Sequence, residues 1–145
     1  MTRVWGRVGL FFAATLALCA GYVTLSRDSG VAATRALGWG FPTVMAHRGA
    51  SYLAPEETEW AYRLARATGA DFLEADIQRS KDGVLFALHD DTLERTTDAK
   101  TLYPGREKLP VSEFTWDELS QLDAGSWFNA KHPERARPEY VGAKL

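Results

Sequence analysis

Beyond residue 42 the chain alternates short apolar runs with polar turns, and before it lies one longer apolar stretch. Residues 43–46 read as a short buried strand and residues 49–57 as a loop, in which Pro55 pre-sets the start of a helix. Over residues 58–68, Trp60, Ala61, Leu64 and Ala65 recur at helical spacing and predict a helix with one apolar stripe. Glu59 and Arg63 stand four apart on its other side, and Gly69 is a natural stop. Residues 72–77 read as a second strand, with Phe72, Glu74 and Asp76 on one face and Leu73, Ala75 and Ile77 on the other. Lys81-Asp82-Gly83 is a turn, and residues 84–88 read as a third strand. Between Asp76 and Val84 there is no room for the crossover that parallel strands need, so this region predicts either an extended return or a hairpin. Residues 92–109 are polar and turn-rich. Thr115-Trp116-Asp117-Glu118 is a capping box opening a short helix to about Leu122, and residues 129–145 show no clear element. Strands alternating with helix predict an α/β fold.

The longer apolar stretch runs from residue 8 to residue 23 without a charge, behind Arg3 and Arg7. Basic residues followed by an apolar core are the layout of a signal peptide, and the run is nearly as long as the roughly 20 residues of a bilayer-spanning helix. We therefore expect residues 1–25 to be a signal peptide or a membrane anchor in the form of an N-terminal hydrophobic helix. Residues 26–42 would then be a linker, and residues 43–145 a periplasmic or extracellular domain. Cys19, the one cysteine, lies within the apolar stretch, so no intrachain disulfide is possible. The leading arginines also bias the charge. Three of them are the only charges before Asp28, and the remainder carries 14 basic and 19 acidic residues. A net acidic domain argues against a nucleic-acid partner.

Candidate chemistry gathers at the ends of the apolar runs. His47-Arg48-Gly49 follows the first, Glu74-Ala75-Asp76 closes the second, and His89-Asp90 follows the third. Two imidazoles can exchange a proton near neutral pH. Two carboxylates can hold a hard divalent cation, and an arginine can clamp an anion such as phosphate. Each residue also has a structural reading. His47 could satisfy a backbone carbonyl in the core, Glu74 and Asp76 could pair with Arg48 and Arg79, and His89-Asp90 could cap a strand.

These words, in this order, resemble the glycerophosphodiester phosphodiesterase family. They are His47-Arg48-Gly49-Ala50, Ala54-Pro55-Glu56-Glu57-Thr58, Gly69 to Asp76, Lys81-Asp82-Gly83-Val84, His89-Asp90 and Leu122 to Phe128, so the resemblance covers roughly residues 43–130. The family usually has asparagine where this chain has Glu57. The resemblance implies that His47 and His89 serve as general base and general acid and that Arg48 holds the phosphate. Glu74 and Asp76 would ligate Ca²⁺ or Mg²⁺, with Glu74 also facing the substrate. It implies hydrolysis of glycerophosphodiesters to glycerol 3-phosphate and an alcohol, through attack of a substrate hydroxyl on phosphorus. It also implies an irregular TIM-type (β/α) barrel, which takes about 250 residues when complete. We therefore expect this chain to form the N-terminal, incomplete part of such a barrel. The family's third metal carboxylate and nearby lysine come from a strand beyond the matched region. A truncated enzyme is one expectation from this, and a non-catalytic, membrane-anchored remnant or binding module of the same lineage is the alternative.

Overall fold

The computed structural model describes residues 30–145. The expected signal or anchor over residues 1–25 lies outside the described residues, and among those described no helix is long and apolar enough to cross a membrane. The chain divides between Thr43 and Val44 into two units. In the first, residues 30–36 are helical, within the segment read as a linker, and the Thr34 hydroxyl donates to the Gly30 and Val31 carbonyls.

The second unit opens with a β-α-β motif. Strand β1 (Met45–His47) and strand β2 (Phe72–Glu74) pair in parallel, with Ala46 opposite Leu73 and His47 opposite Glu74. Parallel strands need a crossover, and helix α1 (Glu59–Ala67) supplies it. The Thr58 side chain accepts from the Ala61 amide and caps the helix, and Arg63 Nε donates to Glu59 one turn back (2.7 Å). The expected stripe narrows to Ala61 and Ala65, both buried, whereas Trp60 is 40% exposed. Two alanines leave little side chain between helix and loop, which lets the backbone of Ala50 reach the Ala61 carbonyl (2.9 Å).

The single strand expected over residues 72–77 is broken. Strand β2 ends at Glu74, and strand β3 (Ile77–Arg79) starts a separate antiparallel pair with strand β4 (Leu85–Ala87). Of the two paths left open by the sequence, the hairpin is realised. Its turn is tied by Ser80, whose hydroxyl donates to Asp82 (2.7 Å) and accepts from the Val84 amide (2.8 Å), while Gly83 takes a φ of 93°. The first strand, expected to be buried over residues 43–46, is instead open to solvent, with Val44 53% and Met45 56% exposed, and Leu73 of β2 and Ile77 of β3 are 49% and 59% exposed. The two sheets have two strands each, and no closed barrel forms among the described residues.

Two cores hold this unit together. Phe86 and Leu88 from the β4 region pack with Leu93, Phe114, Leu119 and Leu122. Residues 92–109, read as turns, contribute the buried Leu93 and the short helix α2 (Ala99–Leu102). Helix α3 (Trp116–Leu119) carries the expected capping box between Thr115 and Glu118. The second core joins Ala54 and Ala61 to Phe128 and Tyr140. It is built from helix α4 (Ser126–Lys131) and two short 3₁₀ turns, Pro133–Arg135 and Pro138–Tyr140, in the stretch read as irregular.

Candidate active site

The site is built where β1 ends. Arg48 and Gly49 follow the strand with φ of 58° and 75°, so two successive residues are left-handed. A Cβ on Gly49 would lie 2.7 Å from the carbonyl carbon and Cβ of Ala61 in α1, so only glycine fits between loop and helix. The reversal turns the Arg48 amide toward Glu74, whose Oε2 accepts it at 2.9 Å. Arg48 Nη1 donates to Glu56 Oε1 (3.0 Å), and Nε lies 3.2 Å from Asp76 Oδ2. That last contact is an ion pair without an aligned hydrogen bond: both atoms are buried, and neither has a hydrogen-bond partner. Of the two arginines weighed for a structural network, Arg48 is the one paired with Asp76.

His47 faces Glu74 across the parallel pair and is exposed. It borders an open hollow of about 310 Å³ along β1, lined largely by apolar groups including Tyr52, Leu53 and Ala65. Arg48, Glu74 and Asp76 do not line this hollow, so the charged cluster is a distinct feature. His89 leaves β4 beside Asp76, since the Leu88 amide donates to the Asp76 carbonyl (3.0 Å). Its Nδ1 lies 2.7 Å from Asp90 Oδ1.

Three residues with no assigned part in the sequence reading connect these pieces. Arg95 reaches both Asp90 and Glu56, and Glu56 in turn reaches Arg48. The Arg95 guanidinium holds the Asp90 carboxyl down at about 2. Burial opposes ionisation of Glu56, but Arg95 and Arg48 together outweigh it and hold that carboxyl below its ordinary range. The usable signal for Asp90 was its place directly after His89. Glu56 stood within the Ala54 to Thr58 word without a role of its own, and nothing in the pattern marked Arg95.

Glu57 is drawn into the site from below. It is 3% exposed and left-handed (φ 60°), a conformation asparagine tolerates better than glutamate. Its Oε1 accepts the Asp76 amide (3.1 Å), and its Oε2 accepts the Tyr62 hydroxyl. Burial pushes the Glu57 carboxyl up, against the pull of those two donors. Glu57 therefore supports the Asp76 backbone instead of adding an open negative charge to the pocket.

The donors suit a hard divalent cation in kind. Asp76 Oδ2 is a buried oxygen without a hydrogen bond, and Glu74 is a second carboxylate beside the same arginine. In number they are few, because among the described residues no group of three His, Cys, Asp or Glu is placed to hold a metal ion. Water or substrate oxygens would complete the shell that Ca²⁺ or Mg²⁺ takes.

The fold and site define an α/β protein with a parallel β-α-β unit whose strand ends gather arginine, paired carboxylates and histidine. Residues 47–140 match the glycerophosphoryl diester phosphodiesterase family, and the chain belongs to it. It is 45% identical over 101 residues to a glycerophosphodiester phosphodiesterase of Bacillus subtilis, covering 70% of this chain and 32% of that protein. It is 44% identical over 92 residues to the human glycerophosphoinositol inositolphosphodiesterase GDPD2, covering 63% of this chain and 17% of that protein. Among solved structures, a glycerophosphodiester phosphodiesterase from Agrobacterium tumefaciens matches at a TM-score of 0.57 and 38% identity, covering 71% of this chain and 38% of that one. An Oleispira antarctica phosphodiesterase in complex with the product sn-glycerol-3-phosphate matches at 0.56 and 37%, covering 70% and 35%. The chain thus spans about a third or less of the curated relatives' length.

Proposed function

We propose that this chain carries the first catalytic segments of a metal-dependent glycerophosphodiester phosphodiesterase, which cleaves glycerophosphodiesters to glycerol 3-phosphate and an alcohol. The observation that carries the reading is the convergence of Arg48, Glu74, Asp76 and the His89–Asp90 pair on neighbouring strand ends. Family membership and the product seen in the Oleispira relative support it. We read the strands as the opening of an irregular barrel of the TIM type, in which such sites lie at strand C-termini.

Arg48 would hold the phosphate, in exchange for part of its present pairing with Glu56 and Asp76. His47 and His89 would act as general base and general acid, taking the proton of the attacking substrate hydroxyl and returning one to the leaving alcohol. With Asp90 facing its Nδ1, His89 presents Nε2 for that transfer. Glu74 and Asp76 would hold Ca²⁺ or Mg²⁺, which supplies charge stabilisation at the phosphate. The apolar stretch behind Arg3 and Arg7 supports export, with the domain on the periplasmic or extracellular side and anchored in the membrane if the segment is retained.

The test is hydrolysis of glycerophosphocholine by the purified full-length gene product with Ca²⁺ or Mg²⁺, and again with chelator. We expect chelation to abolish turnover, and His47→Ala and His89→Ala each to lower kcat by roughly 10²- to 10⁴-fold. Turnover indifferent to both substitutions would refute the assignment. Binding of glycerol 3-phosphate with no turnover would favour the non-catalytic alternative.

A further inference from the structure

We propose that Arg95 is a positioning residue of this site: it holds Asp90 against the His89 imidazole and Glu56 against the Arg48 guanidinium, joining two separate loops into one geometry. The inference rests on the reading of His89 and Arg48 as functional groups.

Arg95 lies in the loop between β4 and α2, the same loop that carries His89 and Asp90. Its Nε donates to Asp90 Oδ2 (2.5 Å) and its Nη2 to Asp90 Oδ1 (2.8 Å). The same guanidinium reaches 39 residues back, with Nη1 to Glu56 Oε2 (3.0 Å) and Nη2 to Glu56 Oε1 (2.7 Å). One planar fork therefore engages two carboxylates, each through both oxygens, which an ammonium cannot reproduce.

Each carboxylate has a second partner. Glu56 Oε1 also accepts Arg48 Nη1 at 3.0 Å, and Asp90 Oδ1 lies 2.7 Å from His89 Nδ1. Asp90 is ionised beside Arg95 and can only accept, so the proton on a neutral His89 sits at Nδ1, and the second proton, the one a general acid gives up, is carried at Nε2. Without Arg95, among the described residues only the neighbouring His89 would hold the Asp90 carboxylate, and its side chain would be free to turn to water. Glu56 would likewise be left with Arg48 alone.

The test reads the His89 ring by ¹⁵N NMR of histidine-labelled protein at a pH where the imidazole is neutral, with His89→Gln used to assign the signal among the three histidines. We expect the wild-type ring to show the Nδ1–H pattern. Arg95→Lys and Arg95→Ala should move it toward the Nε2–H pattern preferred by a free ring. In an active protein both should lower kcat roughly 10²-fold, the cost of a misplaced catalytic group. A wild-type Nε2–H ring, or an Nδ1–H pattern that survives in both variants, would overturn the proposal. Should Arg95→Ala fail to fold, Arg95→Lys keeps the charge and stem and gives the same readout. A ring that responds to Arg95 in a wild-type protein without turnover would refute the phosphodiesterase reading and leave the positioning role standing.

Discussion

At the scale of single residues, the His47-Arg48-Gly49 word has a mechanical explanation. Arg48 must turn its amide onto Glu74 while its guanidinium reaches Glu56 and Asp76, and the left-handed pair Arg48 and Gly49 makes that reversal. Gly49 is confined twice, by its φ of 75° and by the Ala61 backbone 2.7 Å from where a Cβ would stand. We expect Gly49→Ala to destabilise the fold by about 2–5 kcal/mol, the combined order of a left-handed alanine and an overpacked contact. Urea denaturation would measure it, and a loss under about 1 kcal/mol would mean that α1 and the loop move apart freely. Glu57 shows the opposite case, a departure from the family pattern that structure absorbs. The Asp76 amide and the Tyr62 hydroxyl occupy both Glu57 carboxylate oxygens below the site.

At the scale of elements, the local signals were the legible ones. The Thr115–Glu118 capping box, the Glu59–Arg63 pair and the Lys81-Asp82-Gly83 turn are each decided by neighbours within a few residues, and each forms. The break after Glu74 was not legible, because residues 72–77 alternate as one strand would. What divides them is tertiary: the Asp76 amide goes to the Glu57 side chain, and the Asp76 carbonyl receives Leu88. The C-terminal elements were missed for a related reason. Short segments around two prolines have no periodicity of their own, and they are ordered by Phe128 and Tyr140 inserting against Ala54 and Ala61. Gly125 shows how close that approach is, since a Cβ there would lie 1.8 Å from the Tyr140 carbonyl oxygen. Phe128 is fully buried, with edge-on contact to Tyr140 at 5.7 Å. Phe128→Ala should therefore cost about 3–5 kcal/mol in chemical denaturation. Because this core lies under the segment bearing Glu56, the same change should loosen the Arg48–Glu56 contact. Retention of full stability would show that helix α4 is an appendage and not part of the core.

At the scale of the whole molecule, the response to acid follows from which carboxyls the fold favours as anions. Arg95 holds Asp90 at about 2, and Arg95 with Arg48 holds Glu56 low against its burial. The Arg106 guanidinium lowers Glu118, and at Asp123 donors led by Ser126 outweigh the opposing effect of burial. A carboxyl depressed in the fold adds stability above its unfolded value, near 4, and loses it as pH falls through the folded value. Two of these sites join separate segments, Glu56 to Arg95 and Glu118 to Arg106, and the other two are local, Asp90 to Arg95 and Asp123 to the start of helix α4. Glu57 works the other way, since burial raises it and its protonated form is the one the fold favours, so its stabilising share is kept in acid and lost as pH rises. The depressed group outnumbers it, so the thermal midpoint should fall between about pH 4 and pH 2. Asp90→Asn should flatten that fall while lowering stability at neutral pH, because the amide keeps the shape but not the charge that Arg95 and His89 face. A midpoint that holds steady or rises on acidification would show that these ion pairs are screened by water and that the bridge from Arg48 to His89 is not maintained in solution.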